Sequence, residues 1–177
     1  EKRLDEKSKD GIKVLDQYED KLFLELEDEL VTFAESNSYP VKKIHKLIGV
    51  VKLLTRHKRD FYYRSISDMF TFENQEIKEM AIQIKLADRI HNILCISCFN
   101  EKQRIYQCFK NLFILNSTKK YLLEKYGEGI FTSKKPVPTE RLFNKCCKAT
   151  YDAFFKICEL TIKKGVGDIV LMLQLSF

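Results

Sequence analysis

Apolar residues return every three or four positions through most of the chain, the period of a helix buried along one face. Ile12, Leu15, Leu22, Leu26, Leu30 and Phe33 mark the first stretch, with Asp and Glu opposite, and predict one long or two shorter helices between Ile12 and Ala34. The cluster Ser36-Asn37-Ser38-Tyr39-Pro40 predicts a turn: small polar side chains compete for backbone hydrogen bonds, and proline keeps its predecessor out of the α region. A second helix is expected from Val41 to Leu54 on the stripe Ile44, Leu47, Ile48, Val51 and Leu54. Glu73 to Asn92 carries the strongest helical pattern, with Ile77, Met80, Ala81, Ile84, Ala87 and Ile90 or His91 in one stripe, and it puts Asp88 and Asn92 on one face. Further helices are expected over Glu101 to Tyr126, stopped by Gly127, and over Thr139 to Lys164, stopped by Gly165. Between them Gly127 to Pro138 reads as loop, and no internal repeat is visible.

Composition supports this reading. A chain of 177 residues with 45% hydrophobic content can bury a sizeable core in one domain. Six glycines and three prolines are too few for the turns of an all-β sandwich, which leaves an all-α fold. The expected organisation is a charged start over residues 1–10, a helical domain over 11–126, a loop over 127–138, and a C-terminal helix and hydrophobic tail over 139–177 that packs on the domain or on a partner. The charge of +6 comes from 31 basic and 25 acidic residues that are largely interspersed, which suits a solvated surface better than a nucleic-acid groove. The basic stretch from Lys42 to Arg59 reads in the same way, as a core helix with a wet face, and Phe61, Tyr62 and Tyr63 as anchors of the loop after it.

Six cysteines without a secretory start point to reduced thiols in a cytoplasmic protein. Cys95-x-x-Cys98 could supply half of a zinc site, but no second pair follows, so buried helical cysteines are expected instead. No apolar run reaches the roughly 20 residues that cross a bilayer, and Ile169 to Leu175 is far shorter.

The run Ile84-Lys85-Leu86-Ala87-Asp88-Arg89-Ile90-His91-Asn92 resembles the K-L-A-D-R-x-H-N segment of the RelA/SpoT alarmone hydrolases. Ile48-Gly49-Val50-Val51-Lys52-Leu53 is similar to that family's V-x-G-V-T-K-L, and Glu27-Asp28-Glu29-Leu30-Val31-Thr32 to its E-D-T-x-x-T. The resemblance implies an all-helical HD fold that uses a divalent metal, usually Mn²⁺, to remove the 3′-pyrophosphate of guanosine tetraphosphate. It implies Asp88 as a metal ligand, Asn92 as a nucleotide contact, and Glu27 and Asp28 as the acid-base carboxylates. Where the family has a hydroxyl-bearing threonine after the asparagine, this chain has Cys95.

The His-Asp pair of the family falls on Phe23-Leu24 here, and none of the three histidines, His45, His57 and His91, precedes an aspartate. A lone carboxylate binds Mn²⁺ poorly, since a hydrated divalent ion exchanges its waters only for several converging donors. The expectation is therefore a degenerate hydrolase-like domain that binds a guanine nucleotide or alarmone, or regulates a protein partner, without metal. A working Mn²⁺-dependent pyrophosphohydrolase and a protein-interaction module or effector stay open as alternatives. Too few residues follow Tyr126 for the nucleotidyl-transferring domain of the long family members, and they hold no glycine-rich phosphate loop.

Overall fold

The computed structural model describes residues 20–55 and 61–164, and within them the chain is all-α with no strand. The charged start, Ile12 and Leu15, the basic loop around His57, the stop at Gly165 and the tail from Ile169 lie outside the described residues. Six helices follow one another: α1 (20–36), α2 (Val41–Leu54), α3 (Tyr62–Thr71), α4 (Gln75–Leu94), α5 (Glu101–Tyr126) and α6 (Pro138–Lys164). Two compact units meet in sequence at Ala81 and Ile82, inside α4. No helix among the described residues is long and apolar enough to cross a membrane.

In the first unit, α1 stops where the sequence predicts a turn. The Tyr39 amide reaches back to the Ala34 carbonyl at 2.8 Å and the Ser38 amide to that of Glu35 at 3.4 Å, a Schellman closure with Ser38 at φ 55°. The helix buries Ala34 against Ile44 and Ile48 of α2, with Leu30, Val31 and Val41 around them. This corrects the expected stripe, because Leu22, Leu26 and Phe33 are exposed. The face that packs is Phe23, Glu27, Leu30 or Val31, and Ala34, and a carboxylate within it hid its period. On α2 the bounds agree with the pattern, but Val50 is buried and Leu47 exposed. Gly49 lets Ile77 of α4 approach so closely that a Cβ there would lie 2.8 Å from the Ile77 Cδ1.

Helix α3 is a second correction. Tyr62 and Tyr63 do not anchor a loop but open a helix that buries Tyr62, Ile66 and Met69, a spacing of four and three. Helix α4 then starts two residues later than expected, with Asn74 as its cap: the Asn74 Oδ1 accepts from the amides of Glu76 and Ile77, each at 3.1 Å. Its buried stripe is rotated by one position from the expected one. Ala81, Ile82, Leu86 and Ile93 are buried, together with Lys78 and Arg89, whereas Met80 and Ile84 are exposed. Both faces of α4 are apolar, so periodicity alone could not choose between them, and two cations on the buried stripe disguised it.

The second unit is led by α5 and α6. Asn100 and Gln103 form a reciprocal capping box at the start of α5, and Gly127 ends it at φ 75°. Cys108, Asn111, Leu115, Thr118 and Leu122 on α5 are buried at alternating spacings of three and four, as are Thr139, Phe143, Cys146, Thr150, Ala153 and Ile157 on α6. Cys108 packs with Ala153 and Ile157, and Asn111 bonds to Thr150, so the two helices run antiparallel and interlock along these seams. The expected loop between them contains a 3-10 helix, Glu128–Thr132, that buries Ile130.

One layer of that seam is polar. The Asn111 Nδ2 donates to the Thr150 Oγ1 at 3.1 Å and lies 3.7 Å from the Cys146 Sγ, while the Thr150 hydroxyl donates to the Cys146 carbonyl at 2.7 Å. The Asn111 Oδ1 has no partner among the described residues. Cys108 and Cys146 are fully buried, as the sequence predicts. Cys95 and Cys98 are not: Cys95 is half-buried and Cys98 exposed, at a 3-10 helix over Ile96–Cys98.

Candidate functional site

The residues singled out by the sequence fall into two clusters, one in each unit. In the second unit, Asp88, Arg89 and Asn92 project from the last three turns of α4. Asn92 donates its Nδ2 to the Asp88 Oδ1 at 2.9 Å and to the Asp88 carbonyl at 2.8 Å. Arg89 folds back on its neighbour and donates Nε at 3.1 Å and Nη2 at 2.9 Å to the Asp88 Oδ2. Lys85, one turn earlier, adds its ammonium at 3.5 Å from the same oxygen. The Arg89 Nη1 extends the cluster to α5 through the Gln107 Oε1 at 2.9 Å.

Asp88 keeps 41% of its side chain exposed, whereas Arg89 keeps 8%. Burial pushes the Asp88 carboxyl up, but the hydrogen bond and charge of Arg89, with Lys85 behind, more than offset it and hold the group below the ordinary carboxylate range. The buried guanidinium is thus neutralised by the carboxylate beside it. A carboxylate with both oxygens engaged and two cations at its edge braces a helix pair; a divalent ion there would have to displace Arg89 and Lys85. The residues at Asp88 therefore do not fit the metal that the resemblance implies, and no step is derived through one.

The acid-base pair expected on α1 is split in character. Glu27 is half-buried and bridges to α2: its Oε1 is 3.0 Å from the His45 Nδ1, and its Oε2 accepts from the Lys52 Nζ at 3.0 Å. These contacts, Lys52 first and His45 next, hold the Glu27 carboxyl below its usual range. A carboxylate so held is a poor proton donor near neutrality. Asp28 is exposed, and its backbone carbonyl accepts from the Thr32 hydroxyl at 2.8 Å.

Beside this bridge lies a cleft of about 330 Å³ lined by Asp20, Phe23, Leu24, Lys52 and Thr55. Phe23 and Leu24 are the positions at which the resemblance places the His-Asp ligand pair, so apolar side chains wall the cleft there. Among the described residues, no group of three or more His, Cys, Asp or Glu side chains is placed to hold a metal ion.

Sequence reasoning picked out Asp88, Asn92, Glu27 and Asp28, and an aspartate followed by arginine on an amphipathic helix already reads as a local ion pair, as Asp88 and Arg89 prove to be. It missed Lys85 and Gln107 in the first cluster, and His45 and Lys52 as partners of Glu27. A signal existed for the latter pair, since seven residues separate them and set both on one face of α2. No family model matches the chain, and no curated protein or solved structure matches it either.

Proposed function

We propose that this chain is a hydrolase-like helical domain of the RelA/SpoT type that acts as a guanine-nucleotide-binding or regulatory module and does not cleave pyrophosphate. The observation that carries this reading is the engagement of Asp88: the carboxylate that would hold the metal is taken up by Asn92, Arg89 and Lys85. The Glu27 bridge supports it as well, because a carboxylate shared by His45 and Lys52 suits electrostatic bracing better than proton transfer. Among the described lining residues of the cleft, Phe23 and Leu24 offer apolar walls and Lys52 an ammonium for an anionic group, with the Asp20 carboxylate left to take a hydroxyl or amine donor of the ligand. Binding there exchanges the Lys52 ammonium from Glu27 to the ligand.

Calorimetry tests this directly, with Mn²⁺ first and guanosine tetraphosphate afterwards, each with and without the other. The expected result is no micromolar Mn²⁺ binding and metal-independent nucleotide binding that Lys52→Ala weakens about tenfold or more. Micromolar Mn²⁺ binding accompanied by pyrophosphate release overturns the non-hydrolytic reading. Silence toward both ligands overturns the nucleotide reading and leaves a domain that works through a protein partner.

A further inference from the structure

The connection from α4 to α5 reads Cys95-Ile96-Ser97-Cys98, and the proposed function makes no use of it. Its backbone is fixed by hydrogen bonds: the Cys98 amide donates to the Cys95 carbonyl at 3.0 Å and the Phe99 amide to that of Ile96 at 3.2 Å. Ile96, only 5% exposed, and Phe99 press into the apolar core of the second unit. From the first turn of α5, Arg104 reaches back and donates Nε to the Ile96 carbonyl at 3.1 Å and Nη2 to the Ser97 carbonyl at 3.0 Å. One guanidinium therefore clamps the two residues that separate the cysteines.

Residues three apart eclipse in a 3-10 turn. A turn closed by such a hydrogen bond holds its end Cα atoms within about 7 Å, and disulfides span roughly 4.4–6.8 Å between Cα atoms. With Ile96 turned inward, Cys95 is half-buried and Cys98 exposed, and both are free thiols. Cys108 and Cys146 are fully buried and do not compete for a solvent-borne reagent.

We infer that Cys95 and Cys98 form a redox-active dithiol whose co-reactant is a small-molecule disulfide of the glutathione type. The thiolate of Cys98 attacks one sulfur of that disulfide, forms a mixed disulfide and releases the first small thiolate. The thiolate of Cys95 then attacks the Cys98 sulfur, expels the second small thiolate and closes the Cys95–Cys98 bond. Two protein thiols are oxidised, the small disulfide is reduced to two thiols, and the two protons lost by the cysteines end on them. The rigid turn favours the second attack, because its backbone holds the two cysteines at opposite ends of one turn and so raises their effective concentration. The closed bond stiffens the link between α4 and α5, the two helices that Arg89 and Gln107 also join.

The test is to incubate the full chain with excess glutathione disulfide, alkylate the remaining thiols and digest with trypsin, which leaves both cysteines in the peptide Ile90 to Lys102. The expected wild-type peptide has lost two hydrogens and carries neither glutathione nor alkyl groups, whereas Cys95→Ser accumulates a stable glutathione adduct on Cys98. A lasting adduct on wild-type Cys98 with Cys95 alkylated, or alkylation of both cysteines after exposure to the oxidant, overturns the inference. The wild-type result decides it even where the substituted chain folds poorly.

Discussion

Asn92 donates its side-chain amide to the carboxylate of Asp88, one helical turn earlier, at 2.9 Å. The two residues that the resemblance presents as nucleotide contact and metal ligand are thus bonded to each other, and substitution of either changes the setting of both.

Acid stability reports this bond. A carboxyl lowered in the folded state contributes stability above its unfolded value near about 4 and loses it as the pH falls through the lowered value. Wild-type chain should therefore lose stability below about pH 4 more steeply than Asp88→Asn. Urea midpoints measured across that range check it, and equal slopes in the two chains would show that Asp88 is not engaged in solution.

Alkaline stability reports the opposite kind of group. Burial above all pushes the Cys146 thiol up, from 9.0 to about 11. The unfolded chain loses this proton first, so folding stability falls as the pH rises from about 9 and levels off near 11. Cys146→Ala removes that part of the fall. Under native conditions at pH 8, Cys146 and Cys108 should also resist a thiol reagent that modifies Cys98 readily, as mass spectrometry of the labelled chain would reveal.

The polar layer between α5 and α6 should respond unequally to its two partners. Thr150→Val takes from the buried Asn111 amide its oxygen acceptor among the described residues and is expected to cost about 1–3 kcal/mol. Asn111→Leu removes that donor together with the partnerless Oδ1, while the Thr150 hydroxyl keeps its bond to the Cys146 carbonyl. Its cost should stay below about 1 kcal/mol. Chemical denaturation of the two single variants and the double variant separates these values.

Two helix ends offer changes of opposite sign. Asn74→Ala strips the cap from α4 and should cost about 1 kcal/mol. Ser38→Gly relieves a side chain held at φ 55° and should gain roughly 0.5–1 kcal/mol. Both are read from thermal or denaturant midpoints.

Helix existence was legible in the sequence wherever local chemistry marks the ends. Val41–Leu54 and Glu101–Tyr126 agree with the expected bounds because Pro40, Asn100 and Gly127 act within a single turn of their own positions. Helix α3 does not show in the apolar period, since its ten residues bury Tyr62, Ile66 and Met69, too few to stand out, although the resemblance carries a helix across Phe61 to Met80. The packing faces of α1 and α4 were harder to read, because Glu27, Lys78 and Arg89 stand on them and a carboxylate or cation interrupts the apolar period. The same charges conceal the candidate site: Asp88 is visible as a motif residue, but its engagement depends on a side chain folding back one position, and spacing does not encode that.

Asn111 has a consequence for how the α5–α6 hairpin assembles. Leucine, cysteine and isoleucine along a seam attract one another almost equally well after a slip of one heptad, so apolar contact alone tolerates misalignment. A slip in one direction would set Asn111 against Ala153 and Ile157, which offer its amide no side-chain acceptor. The polar layer thus proofreads the hairpin against that slip, because the aligned pairing gives the amide its Thr150 acceptor.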